Sequence, residues 1–201
     1  MFFLVNLNVK LSSIILAAGN SSRFINSNKL LFQINGFTMI ELVVKTILKA
    51  NFKPIYAITG FEQNKIYKNL SKFDINCIYN KNWSEGLSTS IQLGILKIEK
   101  HFDGTLIALG DMPLISTTTL EKMKKEFLYN NGNFIICPEY KNQIGNPIII
   151  PKKYFHFAND LQGDNGFKEI INKNPNFIKT IKINSNEIFQ DFDTRKKIDQ
   201  L

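Results

Sequence analysis

The sequence predicts an α/β domain built around a mostly parallel sheet. Short apolar runs bounded by turn residues alternate with segments of helical spacing along nearly the whole chain. Such alternation marks strands joined by helical crossovers. Two of the runs, Ile14-Ile15-Leu16 and Leu106-Ile107-Ala108-Leu109, carry no polar residue, as strands covered on both faces require. No Pro/Gly/Ser-rich linker or internal repeat divides the 201 residues, so they read as a single domain, with residues 1–11 a loose N-terminal extension.

The elements follow in order. Strands are expected at 13–16, 55–59, 76–79, 105–109, 134–137, 147–150 and 178–183, each a short β-rich run. Thr38 is placed to cap a helix whose apolar face is Met39, Leu42, Val43, Ile47 and Leu48. Further helices are expected at 63–70, 86–98, 117–129, 165–172 and 194–201, the last capped by Asp193 or Thr194. The Asn-Gly pairs at 35–36 and 131–132 are turns. In a sheet of this class ligands bind beyond the carboxyl ends of the strands, so the loops that follow strands are where chemistry is sought.

Composition narrows the function. Apolar residues make up 44% of the chain and charged residues 21%, which excludes a disordered polymer. No apolar run approaches the roughly 18 residues of a membrane span. Cys77 and Cys137 are too few for a disulfide framework or a four-cysteine zinc site. The net charge is +8, yet it comes from 23 Lys and only 2 Arg, beside 24 Asn. These lysines are scattered without a basic block, a pattern of compositional drift that argues against a nucleic-acid partner. An anionic small substrate is the better use of the charge. A cytoplasmic enzyme without a membrane partner is expected.

Two loops carry chemistry. The first strand runs into Leu16-Ala17-Ala18-Gly19-Asn20-Ser21-Ser22-Arg23, with Lys29 beyond it. Small residues let backbone N–H groups approach an anion, Ser21 and Ser22 add hydroxyl donors, and Arg23 and Lys29 offer two cations to a polyphosphate. The alternative is a strand-to-helix turn with surface charges. Neither G-x-x-x-x-G-K-[ST] nor G-x-G-x-x-G is present. The apolar run 105–109 ends in Gly110-Asp111-Met112-Pro113, where Asp111 is placed either to hold Mg²⁺ or to cap a turn.

Together these stretches resemble the molybdenum cofactor cytidylyltransferase family, among the MobA-like NTP transferases. Further agreement, in order along the chain, comes from Asn82-Trp83-Ser84-Glu85-Gly86-Leu87-Ser88-Thr89-Ser90, Gly145-Asn146-Pro147, Gly163-Asp164-Asn165-Gly166 and Asp191-Phe192-Asp193-Thr194. The resemblance implies a Rossmann-like fold of glycosyltransferase-A type. It also implies a reaction that joins CMP from CTP to the terminal phosphate of molybdopterin cofactor with Mg²⁺, releasing pyrophosphate. Carried over, Leu16, Ala17, Ala18, Gly19, Ser21, Ser22, Gly86 and Ser88 would bind the nucleotide. Arg23 and Lys29 would hold its triphosphate, and Asp111 and Asp193 the metal. Gly145, Asn146, Pro147, Gly163, Asp164 and Gly166 would shape the pterin side. The recipient of the product would be a molybdenum hydroxylase of the xanthine dehydrogenase type.

GTP-using relatives read Leu-Ala-Gly-Gly where this chain has Leu-Ala-Ala-Gly, and the Ala18 methyl leaves less room for a base, which favours cytosine. The chain departs from the family at Phe24-Ile25, where Met-Gly is usual, and at Asn146, often His. Such a reaction needs no strong general base, because a phosphate monoester with second pKa about 6 is already anionic at neutral pH. This suits a chain whose His101 and His156 lie outside every motif. Two rival readings remain at this level: transfer from CTP or UTP to a sugar or alcohol phosphate, and a cofactor carrier or insertion chaperone with little turnover.

Overall fold

The computed structural model describes residues 9–21 and 28–192. Ten strands are described: β1 Leu11–Ala17, β2 Gln33–Ile34, β3 Phe37–Thr38, β4 Ile55–Thr59, β5 Asn76–Tyr79, β6 Gly104–Leu109, β7 Ile135–Tyr140, β8 Gln143–Ile144, β9 Ile148–Pro151 and β10 Ile178–Lys182. The α-helices are α1 Met39–Lys49, α2 Gln63–Leu70, α3 Leu87–Ile98, α4 Thr117–Tyr129 and α5 Lys168–Lys173. The main sheet runs β10-β7-β9-β6-β1-β4-β5, with β8 paired to β7. β6, β1, β4 and β5 are parallel, as β7 and β10 are to each other. β9 lies antiparallel between β6 and β7.

The central strand explains the layering. All seven residues of β1 are buried, and its side chains alternate between two cores. Ile15 and Ala17 join Val43, Val44, Ile66, Leu70, Leu120 and Phe127 under α1, α2 and α4. Ile14 and Leu16 join Ile91, Ile95, Ile98, Phe155 and Ile171 under α3, α5 and the 3-10 helix Lys152–Asp160. Each fully buried side chain of this kind contributes roughly 2 kcal/mol.

Several sequence expectations shift. Leu11, the last residue of the expected extension, already belongs to β1, and residues 1–8 of that extension lie outside the described residues. The helix expected at 165–172 starts only at Lys168, and the 3-10 helix at Lys152–Asp160 and the small strands β2, β3 and β8 were not foreseen. The helix at 194–201 and its caps lie outside the described residues. Among the described residues no helix is long and apolar enough to cross a membrane.

Thr38 caps α1 as its sequence predicts, and Glu41 completes a capping box. The Glu41 N–H donates to Thr38 Oγ1 (3.4 Å), and the Thr38 N–H donates to the Glu41 carboxylate (2.6 Å). Glu41 is buried and pairs with Lys72. Burial raises its pKa, but the Lys72 ammonium and the Thr38 donors outweigh it and hold the carboxyl below its usual 4.5. A carboxyl with a lowered folded pKa stabilises the fold above its unfolded pKa, and that contribution is lost as pH falls through the folded value. Glu41→Gln is therefore expected to cost about 1 kcal/mol at pH 7. Urea titrations should show the gap between variant and parent closing as pH drops below 4.5; a gap independent of pH would refute the charged role.

Candidate active site

The carboxyl ends of β1 and β6 lie side by side because the strands pair in parallel register, Leu16 opposite Leu109. Their loops therefore leave the sheet together. The Gly110 N–H donates to the Leu16 carbonyl at 3.0 Å. A Cβ on Gly110 would lie 3.1 Å from that carbonyl oxygen and 3.0 Å from Ile40, tighter than ordinary contact, so glycine is the residue that lets the two loops pack this closely without a shift. Asp111, next in the chain, consequently sits beside the first loop.

There it meets Lys29. Lys29 Nζ donates to Asp111 Oδ2 at 2.5 Å, with the two side chains 16% and 15% exposed. The short 3-10 helix Lys29–Leu31 holds the lysine in place. Asn28 caps it by accepting from the Leu30 N–H (3.1 Å), and Ser21 Oγ accepts from the Lys29 N–H (3.1 Å).

The facing wall begins at the amino end of α3. Gly86 has φ +113°, and a Cβ there would lie 2.3 Å from the Gly163 carbonyl carbon and oxygen. This contact docks the 163–164 loop onto the helix, and the loop satisfies the free donors of its first turn. The Ser88 N–H donates to the Gly163 carbonyl (2.9 Å) and the Leu87 N–H to Asp164 Oδ1 (3.3 Å).

Between these walls lies a cleft of about 700 Å³, lined by Leu16 to Asn20, Lys29, Trp83, Gly86, Leu87, Ser90, Asp111, Asp164 and Asp191, among others. A second chamber of about 350 Å³ continues from it, sharing Leu16, Leu87, Leu109, Asp164 and Asp191. Its further lining includes Ile144, Gly145, Asn146, Gly166, Phe167, Lys168 and Phe189. Two joined compartments, one charged and one largely apolar, can hold two substrates with their reacting groups at the shared boundary.

The residues singled out from sequence distribute as follows. Leu16, Ala17, Ala18, Gly19, Lys29, Gly86 and Asp111 line the first cleft, and Gly145, Asn146, Asp164 and Gly166 line the chambers as well. Four do not. Ser21, with φ +52°, turns its hydroxyl to Asn28 and Lys29. Ser88 is buried, its N–H spent on Gly163. Gly163 acts through its backbone on α3. Pro147 faces a small apolar recess with Val43, Ile47 and Leu120. Each of these four holds the walls instead of facing the cavity. Ser22, Arg23 and Asp193 lie outside the described residues.

Sequence reasoning passed over Asp191 in favour of Asp193, and passed over Phe167 and Lys168 altogether. The only signal for Asp191 was its place in the Asp-Phe-Asp stretch; the Phe192 N–H donates to the Asp111 carbonyl (3.1 Å), which carries that stretch to the cleft. His101 and His156 are exposed and line neither chamber. Burial pushes the Cys137 thiol up to about 12 and raises that of Cys77, so both are structural, weakly nucleophilic groups.

Three carboxylates, Asp111, Asp164 and Asp191, line the first cleft against the Lys29 ammonium among the described residues. No three His, Cys, Asp or Glu groups among those residues converge tightly enough to form a complete metal cage. Oxygen donors in ones and twos suit Mg²⁺, which keeps waters and takes substrate phosphates as its other ligands.

A model of the MobA-like NTP transferase domain matches residues 13–177. A probable molybdenum cofactor guanylyltransferase of Thermococcus sibiricus is 29% identical over 137 residues, 67% of this chain and 65% of the relative. The bifunctional protein GlmU of Francisella tularensis subsp. novicida is 37% identical over 116 residues, 56% of this chain and 24% of the relative. The chain thus matches less than two thirds of the length of either. Among solved structures, Rv0371c of Mycobacterium tuberculosis H37Rv superposes with a TM-score of 0.84 at 17% identity, over 96% of this chain and 97% of that one. A structure of Rv0371c with manganese gives 0.76 at 16% identity, over 96% and 100%. The expected Rossmann-like nucleotidyltransferase fold is the one observed.

The tight contact at Gly86 yields a direct test. Gly86→Ala is expected to lose about 1–3 kcal/mol of stability from the positive φ and the clash with Gly163, read by urea unfolding. An unchanged midpoint would show that the 163–164 loop is not held against α3 in this way.

Proposed function

The chain belongs to the MobA-like NTP transferase domain family, and we propose that it is a nucleotidyltransferase that joins CMP from CTP to the terminal phosphate of molybdenum-bearing molybdopterin cofactor. The observation that carries the reading is the pair of joined chambers with Lys29, Asp111 and Asp191 around the first and at the boundary. In the reaction an oxygen of the acceptor's phosphate attacks the α-phosphorus of CTP. The new O–P bond forms as the bond to the β-phosphate oxygen breaks, and pyrophosphate leaves.

Alignment and charge stabilisation supply most of the catalysis in such transfers. Arg23 and Lys29 would hold the triphosphate. Asp111, with Asp193 or Asp191, would hold Mg²⁺, which when bound neutralises charge on the phosphates; the manganese complex of Rv0371c is a precedent in a like fold. The attacking phosphate is already ionised at neutral pH, with a second pKa of about 6. The chamber linings, which contain no histidine, therefore suit the chemistry.

The choice of acceptor rests on the second chamber. Its Ile144, Phe167, Ile171 and Phe189 favour a flat heterocycle over a sugar, whose hydroxyls would need more polar partners. Asn146 can donate and accept there. The choice of CTP rests on Ala18, which is buried in the cleft wall, its carbonyl fixed by the Phe61 N–H at 3.0 Å. With the backbone held there, the Ala18 methyl would leave less room for a base than the glycine of the Leu-Ala-Gly-Gly relatives, which favours a pyrimidine over a purine. The recipient of the product would be a molybdenum hydroxylase of the xanthine dehydrogenase type.

Pyrophosphate release with Mg²⁺ and molybdenum cofactor, compared across CTP, GTP, UTP and ATP, tests the whole reading. CTP is expected to be preferred, and Asp111→Ala to lower turnover by about 10²–10³-fold. A preference for GTP, the nucleotide implied by the name of the Thermococcus relative, would overturn the argument from Ala18. Turnover with a plain sugar phosphate would support that rival acceptor. Cofactor binding without turnover, unaffected by Asp111→Ala, would support a carrier.

A further inference from the structure

We infer that Asn80 fixes the direction of the Ser90 hydroxyl so that Ser90 donates a hydrogen bond to the base of the bound nucleotide. This rests on the nucleotide reading of the first cleft given above, and it assigns a role to Asn80 and to Ser90, neither of which has been given one so far.

Asn80 follows β5 and is only 4% exposed. Its N–H donates to the Thr59 carbonyl at 2.8 Å, anchoring it at the carboxyl end of β4. Which way its amide faces is set by the Asn82 N–H, an obligatory donor that lies 3.0 Å from Oδ1. The Asn80 Nδ2 therefore points at α3, 2.9 Å from Thr89 Oγ1 and 2.9 Å from Ser90 Oγ.

An amide NH₂ only donates, so both hydroxyl oxygens act as acceptors here. Thr89 spends its own proton on the carbonyl of Asn82 (3.0 Å) or Gly86 (2.9 Å). Among the described residues no protein acceptor takes the Ser90 proton. Ser90 is 2% exposed, and the surface it does present lies in the cleft wall. A buried hydroxyl whose oxygen is already engaged has one unspent function, donation, and the cleft is the place left for it.

What it meets there follows from charge. Ala17, Ala18, Trp83 and Leu87 share the lining with Ser90 and carry no charge; the charged residue beside them is Asp164, at the Leu87 N–H, which repels a phosphate, whereas Lys29 pairs with Asp111 elsewhere in the lining. A neutral, flat base belongs with the uncharged residues and the triphosphate with Lys29. Cytosine offers O2 and N3 as acceptors, either of which a serine proton can serve.

Equilibrium titration of the full-length protein with CTP and with inorganic tripolyphosphate, a probe without a base, tests this. Ser90→Ala is expected to weaken CTP about tenfold, the worth of one hydrogen bond, and to leave tripolyphosphate unchanged. Asn80→Asp replaces the donor NH₂ with an acceptor, so the Ser90 proton turns to the carboxylate. It should reproduce the loss of Ser90→Ala, and the double variant should bind CTP no more weakly than either single one. Ser90→Thr, which keeps the hydroxyl, should bind CTP nearly as the parent does. Should Asn80→Asp fail to fold, the comparison of CTP with tripolyphosphate in Ser90→Ala still decides. Unchanged CTP affinity in Ser90→Ala, equal weakening of both probes, or additive losses in the double variant would overturn the inference. A parent that binds no nucleoside triphosphate would overturn the nucleotide reading and this inference with it. A parent that prefers GTP would overturn only the choice of base, and the same variants titrated with GTP would then decide the role of Ser90.

Discussion

The site depends above all on how closely β1 and β6 can run together and turn out of the sheet. Their parallel register puts Leu16 opposite Leu109, and the Gly110 N–H closes on the Leu16 carbonyl because glycine leaves room for it. From that contact the first loop, Lys29 and Asp111 converge without any long-range coincidence. The buried sheet provides the rigidity: a strand packed on both faces cannot shift register without moving every Ile and Leu out of its core. The loops that carry the chemistry thereby leave the sheet from ends fixed by the apolar packing beneath them.

The opposite wall is built by a different device. There the backbone of Gly163 and the carboxylate of Asp164 reach the first turn of α3, so a loop about eighty residues away in sequence supplies what a side-chain cap ordinarily would. The same loop turns Asp164 toward both chambers. Stabilising the helix and delimiting the substrate space are accordingly one structural act. Several residues that line nothing, Ser21, Ser88 and Gly163, matter because they hold the residues that do.

This division explains how much was legible in the sequence. The strands around β1 could be read because full burial leaves an unbroken apolar run, and Asp111 could be read because it follows such a run at a strand's carboxyl end. The antiparallel direction of β9 could not, since Ile148 to Ile150 look the same whichever way the strand is inserted. Nor could the orientation of the Ser21 and Ser88 hydroxyls. A serine in a loop offers the same chemistry to a phosphate as to a neighbouring N–H, and only the fold decides between them. Asp191 was overshadowed by Asp193 because the stretch shows two carboxylates with no local feature to rank them. The apolar lining of the second chamber, with Phe167 and Phe189, was invisible for a simpler reason: an isolated phenylalanine, in a helix or in a loop, reads as core.

The electrostatics of the cleft follow from the same geometry. Lys29 and Asp111 neutralise each other at 2.5 Å, and both are partly exposed, so their pairing adds little to stability by itself. Asp164 lines the cleft as well, its Oδ1 accepting from the Leu87 N–H at 3.3 Å. On the proposed function, Lys29 would be freed to meet a triphosphate once a divalent ion takes over the charge of Asp111. Binding of nucleotide and metal would then be strongly coupled, each making the other's site favourable. The wall that holds Ser90 carries the carboxylate of Asp164 and not Lys29, so it suits a neutral base better than a phosphate. It can discriminate between bases through one hydroxyl whose direction is set from within the protein, while the charged part responds to triphosphate alone. Separating the two tasks onto two walls allows the base preference to change without disturbing the cations that any nucleotidyl transfer needs.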